Sequence, residues 1–448
     1  MANVSIAGLK TQTRGNSDLF KKEDWWAVWL GLGIILSAII VWSLGGSIKP
    51  IAVSVPTWKE FSKLGKYLSA NAGNLLLLYT VFLVIFSVAV KVLGHSLKEF
   101  IPGFTALFLC SSLVTVFGAW DWAKKYNLEA PLVALAIGLI ISNLLPIPKW
   151  LDSALRTEFY VKTGIVLLGA TLPFTLIVQA GPVAFAMASV IAISTFTTIY
   201  FVATKVFKLD KRFAATLGAG GSICGVSASI AVGGSVKAEK QHVSVAISIV
   251  IIWAVLMVFL LPILIKAWGI PAGPAGAWIG TSEFADAAGM AAASSINDQA
   301  IKTFTLMKVV GRDMFIGIWC FILALISVTK WEKKAHSSKP DTGEIWKRFP
   351  KFVLGFFVAS AILTVLIASV DANTVKSINT NIVSPVKELR TWAFIFTFLS
   401  IGLTTRFKDL TAVGWKPFAA FTTGVLVNVP LAYLLTVVIF GQYWIGVK

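Results

Sequence analysis

The run from Phe352 to Val370 carries no charged residue, and the run from Asn74 to Leu93 carries only Lys91. A helix needs about 20 apolar residues to cross the hydrocarbon core of a bilayer, and these stretches have that length. With 57% hydrophobic residues, 13% charged and a mean hydropathy of +0.81, the chain has too little polar surface for an ordinary soluble enzyme. Strands of a membrane barrel would show short alternating runs instead. The expected class is therefore an all-α polytopic membrane protein embedded in a lipid bilayer. About thirteen apolar runs recur along it, including ones centred near Leu36, Phe82, Ile137, Leu168, Gly225, Ala288 and Leu431.

Lysine and arginine number 39 against 21 acids, a net charge of +18. The excess lies in the connections between apolar runs, where it sets topology and meets lipid headgroups. No basic run is joined to a stacking platform, so nucleic acid is excluded as a partner. The distribution predicts a multi-pass protein of the cytoplasmic (inner) membrane, N-terminus cytoplasmic and C-terminus outside. Met1 to Asp24 is too polar for a cleavable signal, which makes Trp25 to Ser43 a first retained span. Cys110, Cys224 and Cys320 follow no zinc or disulfide spacing and read as free thiols, with no metal and no cofactor expected.

Residues 1–101 read as an N-terminal extension with two transmembrane helices. Between them Trp58, Phe61, Leu64 and Leu68 recur at helical spacing opposite Lys59, Glu60, Lys63 and Lys66, as in a helix lying in the interface or a plain extramembrane helix. Residues 102–448 read as a transporter core. Within it Gly169 to Ala186 aligns without a gap to Gly402 to Ala419, with identities at Gly169/Gly402, Thr171/Thr404, Phe174/Phe407, Gly181/Gly414, Phe185/Phe418 and Ala186/Ala419. Such self-similarity favours duplication, here over 168–267 and 270–441. An odd number of spans between the copies makes them inverted repeats, which in secondary transporters alternate access around a midplane site.

The helix signal breaks in two places. Ala214 to Val236 holds Gly218, Gly220, Gly221, Gly225, Gly233 and Gly234 with Ser222, Ser227, Ser229 and Ser235. Interior glycine costs about 0.5–1 kcal/mol relative to alanine. A break around Gly220-Gly221-Ser222-Ile223-Cys224-Gly225 would free amide donors at a half-helix N-terminus, suited to an oxyanion together with Ser227. Close packing through small residues is the alternative. The second break, Ile270 to Gly289, places Glu283 and Asp286 on one helical face at membrane depth. Intramembrane carboxylates are functional candidates by default, as carriers of a coupling proton or ligands of a sodium ion, unless the segment is shallow and solvated. Arg312 and Asp313 follow, Arg312 to hold an anion or neutralise Glu283, unless either charge snorkels from a helix end. The candidate substrate site is thus Gly220, Gly221, Ser222, Cys224, Gly225, Ser227, Thr171, Thr404 and Arg312, with Glu283, Asp286 and Asp313 for coupling.

Lys162-Thr-Gly-Ile-Val-Leu-Leu-Gly169, Leu217-Gly-Ala-Gly-Gly-Ser-Ile-Cys-Gly-Val-Ser-Ala-Ser229, Val236-Lys-Ala-Glu239, Trp278-Ile-Gly-Thr281, Ser400-Ile-Gly-Leu-Thr-Thr405 and Gly414-Trp-Lys-Pro417 occur in this order. From about Pro102 to Phe440 the chain resembles the YeiH-type family, which carries the label of sulfate exporter. The Gly-Ser-Ile-Cys-Gly-x-Ser-Ala core is the most specific element. The resemblance implies a polytopic secondary transporter similar to the bile-acid and sodium–proton antiporter folds, with two broken helices crossing near the midplane and Gly221 to Ser227 as signature loop. It departs where the family carries a His–acid pair after the second break; here Phe284-Ala285 stand between Glu283 and Asp286.

The expected function is secondary active transport of a small anion (sulfate, sulfite or sulfonate in type), coupled to H+ or Na+, in a protein able to form a homodimer. A membrane-embedded enzyme would need a base near Cys224 or Ser222, whereas His95, His242 and His336 all read as loop residues. A passive channel would need pore rings or filter repeats.

Overall fold

In lipid a chain must satisfy its backbone internally, and these apolar runs do so as helices. The computed structural model describes residues 18–125, 130–331, 350–406, 408 and 414–447. His336, Phe407 and residues 409–413 of the second repeat copy lie outside them, as do residues 1–17. Among the described residues there is no strand, only an isolated bridge between Trp58 and Trp120.

Among them, 7 helices are long and apolar enough to cross a membrane: Glu23–Ser43, Phe61–Val92, Leu97–Gly118, Phe174–Val206, Gln241–Ala267, Lys351–Ala368 and Trp415–Ile439. The expected thirteen runs reduce to these plus shorter helices. Ile137 lies in Ala130–Leu144, Leu168 near the end of Thr157–Gly169, and Ala288 in the 9-residue helix Asp286–Ser294, while Gly225 lies in no helix. Leu113, Val365 and Leu426 are each about two-thirds exposed or more on their helices. In water such surfaces would aggregate, whereas against acyl chains they cost nothing.

The amphipathic stretch is corrected. Phe61, Leu64 and Leu68 belong to the first turns of a single 32-residue helix, Phe61–Val92. At 1.5 Å per residue that helix is about 48 Å long, well beyond the hydrocarbon core. Its polar start is the overhang of a span, and Trp58 precedes it, donating to the Val116 carbonyl at 2.7 Å. His242 is likewise no loop residue: it lies in the first turn of Lys240–Ala267, stacked on Phe213.

The first two long helices pack against the rest of the chain. Phe82 meets Phe396 edge-on at 5.4 Å and Phe86 meets Tyr160 at 5.2 Å, while Phe108 stacks on Trp392. Such aromatic pairs add about 0.5–1.5 kcal/mol each beyond area burial. Glu23 and Asp24, at the start of the first span, pair with Arg156 and Lys162.

The segments carrying the repeat lie at comparable helix ends. Gly169 closes Thr157–Gly169, and Gly402 lies in the last turn of Ser384–Thr404. A Cβ on Gly169 would stand 2.4 Å from the Phe356 carbonyl oxygen, and one on Gly402 would stand 2.5 Å from that of Leu135. Both positions therefore permit helix-to-helix backbone contact. The helices that follow are joined by a buried bond, Asn428 Nδ2 to Thr195 Oγ1 at 2.9 Å.

Candidate functional site

Two helix ends and two helix starts meet in the interior. Lys211–Ser222 begins with Asp210 accepting from the amides of Arg212 and Phe213, a cap that fixes its start. It ends at Ser222. Ile223, Cys224 and Gly225 are not helical, and a new helix, Val226–Ser235, begins. The second segment repeats the arrangement: Ala272–Ser282 stops, Glu283 and Ala285 are extended, and Asp286–Ser294 begins. Trp278 anchors this segment by donating to the Val429 carbonyl at 3.1 Å.

Gly225 brings the two interruptions together. Its φ of +70° lies in the region that side chains avoid, and a Cβ there would stand 2.3 Å from the carbonyl oxygen of Phe284. Glycine is thus required twice over, by conformation and by backbone contact with the opposite interruption.

Helix C-termini leave carbonyls unpaired, with partial negative charge. A third element supplies the donors. After Asp298–Thr305 the chain widens into π-type turns over Leu306–Arg312, then resumes as Phe315–Ile326. Arg312, fully buried, donates Nε to Ser222 O at 3.1 Å and Nη1 to Thr281 O at 2.8 Å and Glu283 O at 3.0 Å, with longer bonds to Gly280 O and Gly221 O. Lys308, one turn earlier and also fully buried, donates to Ile223 O at 2.9 Å and Glu283 O at 3.3 Å. Its Nζ lies 3.5 Å from Asp286 Oδ1.

These contacts change the reading of Arg312. Its guanidinium is spent on main-chain carbonyls of both interruptions, and it meets Glu283 at the main-chain oxygen rather than the carboxylate. The expectation was that it holds a substrate anion or neutralises the Glu283 side chain; its hydrogen bonds go to main-chain oxygens. Lys308 was missed by the sequence reading, which placed it in a connection. Its spacing of four from Arg312, inside the apolar run Leu306-Met-Lys-Val-Val-Gly-Arg312, was the available signal.

The opposite, amino-terminal side of the interruptions carries acids. Asp286 opens its helix, where the dipole favours a negative charge. Cys224, Asp286 and Asp313 are buried, and one ligand atom of each lies within 4.8 Å of the others. Both carboxylate oxygens of Asp313 and Oδ1 of Asp286 lack a hydrogen-bond partner. These groups line a cavity of about 310 Å³ with Ser227, Lys162 and Asp24, the last two paired at 2.8 Å. Glu283 is set back from it: Oε2 accepts from the Ala285 amide at 2.5 Å, and Oε1 is buried without a partner.

The other candidates divide. Ser222 is buried, its hydroxyl 3.5 Å from Ala219 O. A Cβ on Gly220 would stand 2.4 Å from Ser229 Oγ, and one on Gly221 would stand 2.4 Å from Ile199 Cδ1. Both glycines serve close packing. Thr171 bonds Leu168 O and receives Arg390 Nη1 at 3.4 Å, beside a separate group where Asp298 pairs with Lys387 and Arg390. Thr404 bonds Ser400 O on an exposed helix face. The repeat pairs these threonines in sequence, and neither lines the Cys224 cavity.

The observations so far define a polytopic helical membrane protein with a small charged cavity beside interrupted helices. The chain belongs to the family described as Conserved hypothetical protein 698, whose model matches residues 102–421. The resemblance to YeiH-type proteins is consistent with that membership. It is 33% identical over 408 residues to a UPF0324 membrane protein of Rhodopirellula baltica, covering 88% of this chain and 75% of the relative. A UPF0324 membrane protein of Nitrosomonas europaea is 29% identical, with 96% of each chain covered. Of a third, from Nitratidesulfovibrio vulgaris and 30% identical, this chain spans 65% of the length and the match covers 83% of this chain. No solved structure matches the chain.

Proposed function

We propose that the protein is a secondary active transporter for a small inorganic or organic anion of the sulfate, sulfite or sulfonate type. It works by alternating access in the cytoplasmic membrane, N-terminus inside, with cation-coupled export. In this reading the two interrupted segments are discontinuous helices that cross near the midplane, and the segments around Gly169 and Gly402 are counterparts in inverted repeats. The single observation that carries the proposal is the buried acid-and-thiol cavity at the starts of both interrupted helices, inside an otherwise apolar helical protein. Unpaired carboxylates are too expensive at membrane depth to persist without a role.

The division of labour follows from the contacts. Lys308 and Arg312 hold the carbonyl ends in place, so backbone donors near Val226 and the Ser227 hydroxyl are left for an oxyanion. Asp286 and Asp313 face the cavity and are the coupling acids, ahead of Glu283, whose carboxylate turns back to its own chain. When either acid carries a proton, repulsion of an incoming anion falls.

The test is flux in proteoliposomes containing the purified full chain. Saturable counterflow of labelled sulfate, sulfite or a sulfonate, driven by a proton or sodium gradient, is the expected result. Asp313→Asn should lose gradient-driven accumulation while retaining exchange of substrate for substrate. Ohmic, non-saturating anion current would replace the transporter with a channel, and undiminished accumulation in Asp313→Asn would remove that acid from coupling.

A further inference from the structure

We infer that Cys224, Asp286 and Asp313 form a binding site for one thiophilic divalent metal ion of the zinc and cadmium class. The three side chains come from three separate places, the first interruption, the start of the second interrupted helix and the segment after the π-type turns. No local spacing pattern reveals them.

The donor set is mixed, one sulfur and two carboxylates, with ligand atoms within 4.8 Å of one another. A tetrahedral ion bound at about 2.0–2.3 Å holds its ligands about 3.5 Å apart. Asp313 is 1% exposed, and both its oxygens lack a partner. An unsatisfied buried charge costs more than the roughly 1–3 kcal/mol of a neutral orphan, so Asp313 calls for a cation.

The neighbouring cations do not meet that demand. Arg312 is committed to five carbonyls and Lys308 to two. Lys162 is held between Asp24 at 2.8 Å and Glu158 at 3.3 Å. A thiolate and two carboxylates carry three negative charges against the buried cations Lys308 and Arg312, so a bound cation lowers the net charge of the group. A proton or a sodium ion would satisfy oxygen, but neither is a partner for sulfur, which prefers soft or borderline metals. Binding replaces the thiol proton with the metal, and that proton leaves to the solvent.

Three protein ligands leave a fourth position on such an ion. The cavity of about 310 Å³ adjoins the cluster, with Ser227 on its wall, so the open position faces a space able to hold water or a small anion. The inference does not rest on the transport reading and competes with it for the same acids, because an ion bound to Asp286 and Asp313 takes the place of the coupling proton.

The test uses purified full chain carrying Cys110→Ser and Cys320→Ala, which leaves Cys224 as the sole thiol. Cadmium is titrated while the thiolate-to-cadmium charge-transfer absorption is followed. A saturable band at one cadmium per chain is expected, displaced by zinc and unaffected by magnesium. Asp313→Asn should weaken binding by about tenfold or more, and Cys224→Ser should abolish the band. Absence of a saturable band in protein whose thiol titrates fully after denaturation overturns the inference, as does a band indifferent to Asp313→Asn. Should the cysteine-reduced protein fail to fold, thermal melting of the unaltered chain decides: zinc and cadmium should raise the midpoint by mass action. Stabilisation by sodium alone would count against the site.

Discussion

The two interruptions present opposite faces to the protein, and the contrast between them separates scaffold from machinery. On the carbonyl side Arg312 and Lys308 donate to main-chain oxygens of both interruptions, and Lys308 also lies 3.5 Å from the Asp286 carboxylate. That region is saturated, polar and closed. On the amide side Asp286, Asp313 and Cys224 border a cavity with oxygens left unpaired. The same break in a helix produces both, because one end exposes acceptors and the other donors. Fixed cations suit the first end, since nothing has to leave it, whereas exchangeable species suit the second.

The contrast is most open to attack at Arg312. Arg312→Met strips donors from both interruptions at once and should destabilise the protein by about 3–5 kcal/mol, read as loss of the monodisperse peak in size-exclusion chromatography after mild heating. Arg312→Lys should recover part of it, because a single ammonium keeps the charge but not the fork. A fold unchanged in Arg312→Met would mean the carbonyl side is not scaffold.

Gly225→Ala comes next. It forces a left-handed backbone conformation on a side chain and pushes a methyl into Phe284 O, which should cost about 2–4 kcal/mol by thermal melting. Gly221→Leu should lower stability as well through Ile199 and Phe421, so a selective loss of transport in that variant would contradict the packing.

Asp313→Asn should move stability the other way. Removing a buried charge without a partner is expected to raise stability by about 1 kcal/mol while gradient-driven transport is lost. A melting point that falls instead would place Asp313 with the scaffold. The smallest effect belongs to Thr404→Ala, which should stay within about 0.5 kcal/mol and leave transport intact. Any larger change would restore the threonine pair to the site.

Much of this was written in the sequence. Hydropathy alone specifies an all-helical membrane protein, because the bilayer demands length and lack of charge, both of which are local properties. Gly225 marks where regular helix stops, since its φ of +70° favours glycine, whereas Gly218, Gly220 and Gly221 lie within the helix before it. Asp313 and Asp286 stood out for the same reason, as charges too deep to be cheap.

Lys308 escaped because its neighbours were read as a connection, and no hydropathy window shows that a lysine will find two orphan carbonyls from distant segments. Thr171 and Thr404 share a place in the sequence repeat, yet Thr171 bonds Leu168 O just past its helix and Thr404 bonds Ser400 O within its own, and neither lines the cavity. Which side of an interruption is filled by fixed cations depends on a third element, Leu306–Arg312, whose approach is long-range and leaves no local trace.

The contact between Gly225 and the Phe284 carbonyl has a mechanical meaning. With no side chain between them, the two backbones meet directly, and Arg312 and Lys308 tie the carbonyls on either side of that contact. A rotation of one segment about the contact is then passed to the other, with Asp286 on one arm and Ser227 on the other. The cavity walls would then swing together, as the jaws of pliers do around their pin, and a rigid pin of bare backbone keeps the motion of either arm from being absorbed before it reaches the other.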